Sequence, residues 1–547
     1  MKREALRMEN GTRRRKSVMA FASVSLFSVS VLGCSTAPSG DSGTEASGNE
    51  PAAKGKLSAA VYDRGNVPPD QGTIQDNWAT RWINETAPVE VEFVPIPRSS
   101  DTEKYNTLFA AGDAPDIVWS YSAEFKGQLI TQRQAMPLED LINESSTTYK
   151  QLLEENPGLK KLTTAPDGHI YQVGRLNGLQ PNDALFLRTD WLKKLNLSVP
   201  RTTEELFEVA KAFATLDPDG NGTNDTYGIA LSSVTHALID AMFGNISPVV
   251  ENDELVNAWD RKQDALEFKK RLFDGGIIDK DFLNDKDGSK AKEHWVTGKL
   301  GIYGGSIDGI DEMQVFAAFM EHNPNAEVLC IPLPESRFGR FSGSMIPPIQ
   351  VVGIVNANAK DPAAVMKYVD FLSDKANMTK IAYGDEGTDH TLTDEGYPAL
   401  KQTDNPRHTW TNDVNLLYSP AHFGGRAAYI NSLNLDNPVE KAWLELYEQA
   451  SENYLSPGRP YPGFTFLEFR PVMPKELSTI ASTVNGQIDN ILKKAIVSGA
   501  SYPADQAIAE AQQAWKQAGG ERIDAWWKDW YNANKETAYL TNDLYTK

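Results

Sequence analysis

Between Asp217 and Asp225 the chain reads DPDGNGTND, with an oxygen donor at every odd position. In a calcium-binding loop, positions 1, 3, 5 and 9 supply side-chain oxygens, position 7 a backbone carbonyl, and glycine at position 6 permits the sharp turn. Here these positions fall on Asp217, Asp219, Asn221 and Asp225, the Thr223 carbonyl, and Gly222. An all-oxygen set suits a hard cation such as calcium, and the aspartates would repel one another without one. The plain alternative is a solvated Asp/Gly surface turn. A calcium-sensor loop carries glutamate at its twelfth position, where this chain has Gly228. Without it, and with no second helix to lever open, the expected role is a structural Ca2+ that pins two elements together rather than a switch.

The elements around the loop are legible. Thr202 and Glu205 have capping-box spacing, and Leu206, Val209, Ala210 and Phe213 follow one helical face. TYGIALS, after the loop, reads as a strand. Upstream, KLSAAVYD and APVEVEFVPIP read as strands, and DTEKYNTLFAAGDAPDIVW as helix, turn and strand. That order argues for an α/β layer with parallel strands. Further on, WVTGKLGIYGG is a helix end, a turn and a strand, and PPIQVVGIVNANAKDPAAVMKYVDFLSD a strand and then a helix from near Asp361. The last quarter is mostly helical, with Trp526, Trp527 and Trp530 spaced for helix packing.

The N-terminus is read separately from the fold. Arg13, Arg14, Arg15 and Lys16 precede an apolar stretch ending in VLGC at Cys34, an export signal whose last residues resemble a lipobox. An ordinary secretory signal with a chance cysteine is the alternative. A small, polar tether runs to Gly55. Cys330, in AEVLCIPLP, is the one other cysteine, expected to be a buried, inert thiol. The 547 residues carry a formal charge of −20, and loss of residues 1–33 makes this more negative. Such acidity argues against nucleic acid as a partner.

FLRTDWLKKLNLSVPRTTEELFEVAKAFATLDPDGNGTNDTYGIAL resembles a block of the family 1 extracellular solute-binding proteins, the lipoprotein receptors of sugar-importing ABC transporters. AAGDAPDIVW, GHIYQVGR, YGDEGTDHTLTDEGYP and AGGERIDAWWKDWY are similar to its oligosaccharide-binding group, which includes the alginate-binding proteins. The resemblance implies a two-lobed, periplasmic-binding-protein-like (type II) α/β fold with a hinge, an interlobe cleft and a helical C-terminal region. It implies residues 1–33 as signal peptide and 34–55 as tether. The N-terminal lobe is expected over 56–172 plus about 335–385, the C-terminal lobe over 173–334 plus about 386–547. It implies a monomer that takes an oligosaccharide to ABC permease subunits, lipid-anchored at Cys34 to the outer face of a Gram-positive cell membrane. It places calcium on Asp217, Asp219, Asn221, Thr223 and Asp225, away from the cleft; Thr226 stands where a further ligand sometimes occurs.

Aromatic rings stack on sugar C–H faces, and planar polar groups read hydroxyls or carboxylates. Ligands of open α/β sheets gather beyond the carboxyl ends of strands. The ligand candidates are therefore Arg64 and Asn66, Trp119 and Tyr121, Arg175, and Ser306 and Asp308, each just after a strand, with His390 and Trp410 from the later region. Arg64 and Arg175 would suit uronic acids. The rival reading is a lipid-anchored glycoside hydrolase or lyase. Its paired carboxyls cannot be singled out among 74 acidic residues, and no GxSxG or HExxH is present.

Overall fold

A computed structural model describes residues 54–402 and 410–545. The expected leader, Cys34 and nearly all of the tether lie outside the described residues. Among the described residues, no helix is long and apolar enough to cross a membrane.

The chain builds two sheets and passes between them. Strands β1 (Gly55–Asp63), β2 (Val89–Pro97), β3 (Ile117–Trp119) and β4 (Gln172–Leu176) belong to the first. The short β5 (Gln180–Pro181) leads out of it into β6 (Asp183–Arg188) and β7 (Tyr227–Ile229) of the second. After a ribbon of β8 (Val249–Glu251) and β9 (Glu254–Val256), strands β10 (Leu300–Ser306) and β11 (Val328–Ile331) complete that sheet. β12 (Met345–Ile346) pairs with β5 on the way back, and β13 (Ile349–Val355) re-enters the first sheet between β3 and β4. A second ribbon joins β14 (His390–Leu392) to β15 (Pro398–Leu400).

In the first sheet, of order β2-β1-β3-β13-β4, β1 runs parallel to β2 and to β3. The parallel expectation fails at β13, which is antiparallel to both neighbours because it arrives from the other lobe. From Leu57 to Tyr62 β1 is buried at every residue but Ser58, as a strand covered on both faces must be. β2 alternates buried and exposed residues at its start and tolerates Pro95 and Pro97 because it is an edge. The second sheet has the order β11-β6-β10-β7. These two sheets, each with its own apolar core, are the two lobes of the expected α/β fold.

Lobe membership is decided by the cores. Trp410, Val414, Leu416 and Leu417 fill the N-terminal core, so this segment does not belong to the C-terminal lobe in which the resemblance put it. It carries four apolar side chains, and Asn415 ties it there by donating its amide to the Leu372 carbonyl. Met378, Ala382, Tyr383, Tyr418 and Phe423 form a small third core beside the β14–β15 ribbon. The helices Lys475–Val497, Ala504–Gln517 and Gly520–Asn534 pack into the C-terminal core, where Trp527 meets Trp526 and Trp530 edge-on. Cys330 is buried there with no disulfide partner, and burial pushes its thiol up to about 12.

Candidate functional site

Strand direction locates the cleft. β4 ends at Leu176 and leads directly into the crossing β5, so the carboxyl end of β4 marks the hinge end of the first sheet. β3 and β4 are both antiparallel to β13, and β1 is parallel to β3, so β1 and β3 also end there. In the second sheet β6 begins at the hinge. β10 and β11 are antiparallel to β6, and β7 is parallel to β10, so all three end there. The loops after β1, β3, β7 and β10 therefore lie at the hinge ends of their sheets, beside the crossing strands.

On the N-terminal wall, the Arg64 Nε donates to both oxygens of Asp413, at 3.0 and 2.8 Å. Burial pushes the Asp413 carboxyl up, and its bond from Arg64 opposes that. The Arg98 guanidinium lies 4.8 and 4.9 Å from the Tyr62 and Tyr121 ring centres, a cation–π arrangement. The Tyr62 hydroxyl is 2.8 Å from Asp101 Oδ2 and 3.0 Å from the Trp119 carbonyl. Nearer the hinge, Arg175 faces Gln350 across the β4–β13 ladder and donates to its Oε1 at 2.7 and 3.2 Å. Arg175 Nη1 also reaches the carbonyls of Leu416 and Tyr418. Gln350 donates to Glu468, whose Oε2 is buried without a hydrogen-bond partner. Lys126 donates to the carbonyls of Ser120 and Val351, and burial pushes its ammonium down to about 8 against the pull of Glu468.

On the C-terminal wall, Asp183 accepts a hydrogen bond from Ser344 Oγ. Ser306 Oγ, on the last residue of β10, donates to Asp308 Oδ1 at 2.8 Å. Burial holds both carboxyls above their ordinary range, and the Asp308 charge adds to the effect on Asp183. Tyr429 Oη donates to the Ile307 carbonyl and accepts from Trp443 Nε1, which fixes the base of this loop.

The Asp217–Asp225 loop lies at the other end of the C-terminal sheet, before the start of β7. Asp217 accepts hydrogen bonds from the amides of Gly220, Asn221 and Gly222, and Gly222 has φ +84. This is the tight turn that position 6 requires. Asp219 is held above the usual carboxylate range by burial and by the neighbouring Asp217 and Asp225, a repulsion that a cation would relieve. The Asn221 amide and Lys299 hold Asp225 down at about 2. Among the described residues, no three acidic, histidine or cysteine side chains converge as around an ion; here Asn221 Nδ2 bridges Asp219 and Asp225. The donor chemistry and the backbone turn fit a hard cation, with the Asn221 side chain turned to its amide nitrogen. Thr226 does not join the set: it is buried and its hydroxyl donates to the Phe213 carbonyl. A Cβ on Gly228 would lie 1.9 Å from the Ala210 carbonyl oxygen. No glutamate fits at position 12, because β7 packs directly on the preceding helix.

Residues 67–379 match the sequence profile of the bacterial extracellular solute-binding proteins. The chain belongs to that family. It is a binding protein and not an enzyme, and the hydrolase or lyase alternative falls with this membership. Lipoprotein LipO of Bacillus subtilis (strain 168) is 25% identical over 453 residues, covering 79% of this chain and 84% of LipO. The fructooligosaccharide ABC transporter substrate-binding protein FusA of Streptococcus pneumoniae serotype 4 is 33% identical over 228 residues, covering 38% of this chain and 42% of FusA. The structure of S. pneumoniae FusA with kestose superposes with a TM-score of 0.63 at 20% identity, covering 87% of this chain and 99% of that one. That protein is also known as an EF-hand mutant bound to fructo-nystose. The structural likeness is one of fold.

Within this solute-binding protein the structure brings Arg64, Tyr121, Arg175, Ser306 and Asp308 to the hinge ends of the sheets, and Asn66 is exposed on the loop of Arg64. Three candidates are corrected. Trp119 is 1% exposed on an interior strand, and a Cβ on Gly353 would meet its ring at 2.5 Å. Its place after the apolar run PDIV signals a strand covered on both faces, not a platform. Trp410 is fully buried in the N-terminal core, tilted against Trp78. His390 is buried at the β14–β15 ribbon, with Nδ1 3.2 Å from the Tyr383 carbonyl. The sequence reading missed Arg98, Asp183, Asp413 and Glu468. Arg98 follows β2 and was open to the rule that selected Arg64. Asp413 and Glu468 carry no local signal, since their partners lie far away along the chain.

Proposed function

We propose that this protein is a lipid-anchored receptor that captures an oligosaccharide between its lobes and delivers it to an ABC importer at the outer face of the cell membrane. The observation that carries this reading is the convergence of polar and aromatic loops from both sheets on the crossing strands, in a chain whose relatives include an oligosaccharide-binding transporter protein. A sugar held by one wall recruits the other, and the closed population rises by the ligand's differential affinity for that state. The closed form is what the permease subunits engage, and the receptor acts as a monomer. Cys34, at the end of VLGC, carries the lipid after removal of residues 1–33; the relative LipO is named a lipoprotein. Acyl chains anchor by burying methylenes, about 0.8 kcal/mol each.

We assign the Asp217–Asp225 loop as a structural calcium site, with Asp217, Asp219, Asn221 and Asp225 giving side-chain oxygens and Thr223 its carbonyl. The ion ties the helix Thr203–Thr215 to β7, far from the cleft. Small-angle scattering with a broad oligosaccharide panel tests the receptor reading: the radius of gyration falls with the cognate sugar. An unchanged radius and no binding across the panel would overturn it.

A further inference from the structure

We infer that the cleft selects an uncharged oligosaccharide, and that Asp183 and Asp308 are the C-terminal-lobe acceptors for its hydroxyls. This rests on the receptor reading above and narrows its ligand.

The cations of the N-terminal wall already have partners. A sugar carboxylate is held best by a guanidinium offering two parallel N–H donors. Arg64 is engaged by Asp413, whose side chain is 9% exposed. Only the Arg64 Nε bonds Asp413, so the Nη groups keep N–H donors for hydroxyls, but the charge behind them is already offset by that carboxylate, and drawing Arg64 away would leave it buried and unpaired, which is costly. Arg98 lies against two tyrosine rings and pairs with Asp101 at 3.8 Å, its Nε buried without a hydrogen-bond partner. Arg175 is engaged by Gln350 and two carbonyls. Lys126 is buried and donates to two carbonyls.

The opposite wall carries the reverse pattern. Asp183 and Asp308 form no ion pair among the described residues; Ser344 and the Asn182 amide donate to Asp183, and Ser306 donates to Asp308. An ionised carboxylate has about four lone-pair sites, so each keeps capacity for further donors. Among the described residues Arg426, partly buried near Tyr447, makes no salt bridge, and the two aspartates outnumber it. Sugar hydroxyls donating to these carboxylates make charge-assisted bonds, whereas a uronate would add a third negative charge beside two that burial already disfavours.

Isothermal titration of the lipid-free protein tests this with neutral fructo-, xylo-, galacto- and arabino-oligosaccharides beside oligogalacturonates and oligoalginates. The expected result is that a neutral sugar binds and every uronate binds at least about tenfold more weakly. Affinity for the neutral sugar should stay flat between about 0.05 and 0.5 M salt, since no ligand charge is screened. Asp308→Asn should weaken neutral binding about tenfold or more, the loss of a charged acceptor, and narrow the gap to uronates. The salt series on the wild type stands even if a variant fails to fold. A uronate that binds more tightly than every neutral sugar, with affinity falling as salt rises, overturns the inference and leaves the receptor reading standing. Binding of no sugar overturns both.

Discussion

Replacing Trp119 by alanine separates a core residue from the ligand platform that its sequence position suggested. Its ring is 1% exposed and lies against Gly353, and its carbonyl is approached by the hydroxyls of Tyr62 and Tyr105 at 3.0 and 2.9 Å. Both partners of the carbonyl survive the change, so the loss is one of packing. Truncating a buried tryptophan costs about 3–5 kcal/mol through lost transfer free energy and an unfilled cavity. For a lobe of this size that lowers the melting temperature by roughly 6–12 °C at the lower bound, taking about 2–4 °C per kcal/mol. Gly353→Ala supplies the reciprocal test. Its new methyl would lie 2.5 Å from both the Trp119 ring and a Val173 methyl, and overpacking of this kind costs about 1–3 kcal/mol. Because Trp119 supplies part of the clash, the two changes together should cost less than their sum, by about 0.5–3 kcal/mol. The assay is thermal and urea unfolding of the single and double variants, beside titration with whichever sugar the wild type binds. A Trp119→Ala protein that melts like the wild type yet loses ligand affinity by more than about tenfold refutes the reasoning, for the ring would then be facing the sugar.

Asp240→Asn should cost about 3–5 kcal/mol, because Lys269, whose side chain is 6% exposed, loses the carboxylate 2.7 Å from its ammonium and keeps the His236 ring at 3.0 Å; unchanged urea unfolding would contradict this. Chelation of calcium, or Asp219→Ala, should lower the melting temperature without altering the affinity for sugar, because the loop lies at the far end of its sheet from the hinge; equal melting with and without chelator would count against the ion. His236 is pushed down from 6.5 to about 4 by burial and by Lys269, with Asp240 and Asp489 opposing and Lys493 assisting. Its folded state therefore binds fewer protons than the unfolded chain between those values. The stability it contributes is present above pH 6.5 and is lost as pH falls toward about 4. The ring is 42% exposed, so solvent screening leaves only about 1 kcal/mol. His236→Gln should flatten the acid limb of the melting profile, and parallel profiles would refute the assignment.

Features whose physics spans a few residues were readable in the string of letters. The capping box is one: Glu205 N–H donates to Thr202 Oγ1 at 3.2 Å, and Glu205 Oε2 accepts from the Thr202 amide at the same distance. The strand starts, the buried face of Leu206, Val209, Ala210 and Phe213, and the turn at Gly222 are others, because propensity, periodicity and backbone sterics act locally. The same local reasoning misassigned Trp119: an aromatic after a strand is either platform or core, and only the neighbouring strand, 230-odd residues on, covers it.

The family and the two-lobed architecture were thus present in the sequence as local patterns in a particular order. Which walls face each other, and with what charge, was settled only by the fold. Arg64 meets Asp413 across 349 positions, and Asp183 meets Ser344 across 161. Electrostatics depends on distance in space and on exclusion of water, and both are set when the chain closes on itself rather than by the order of its residues.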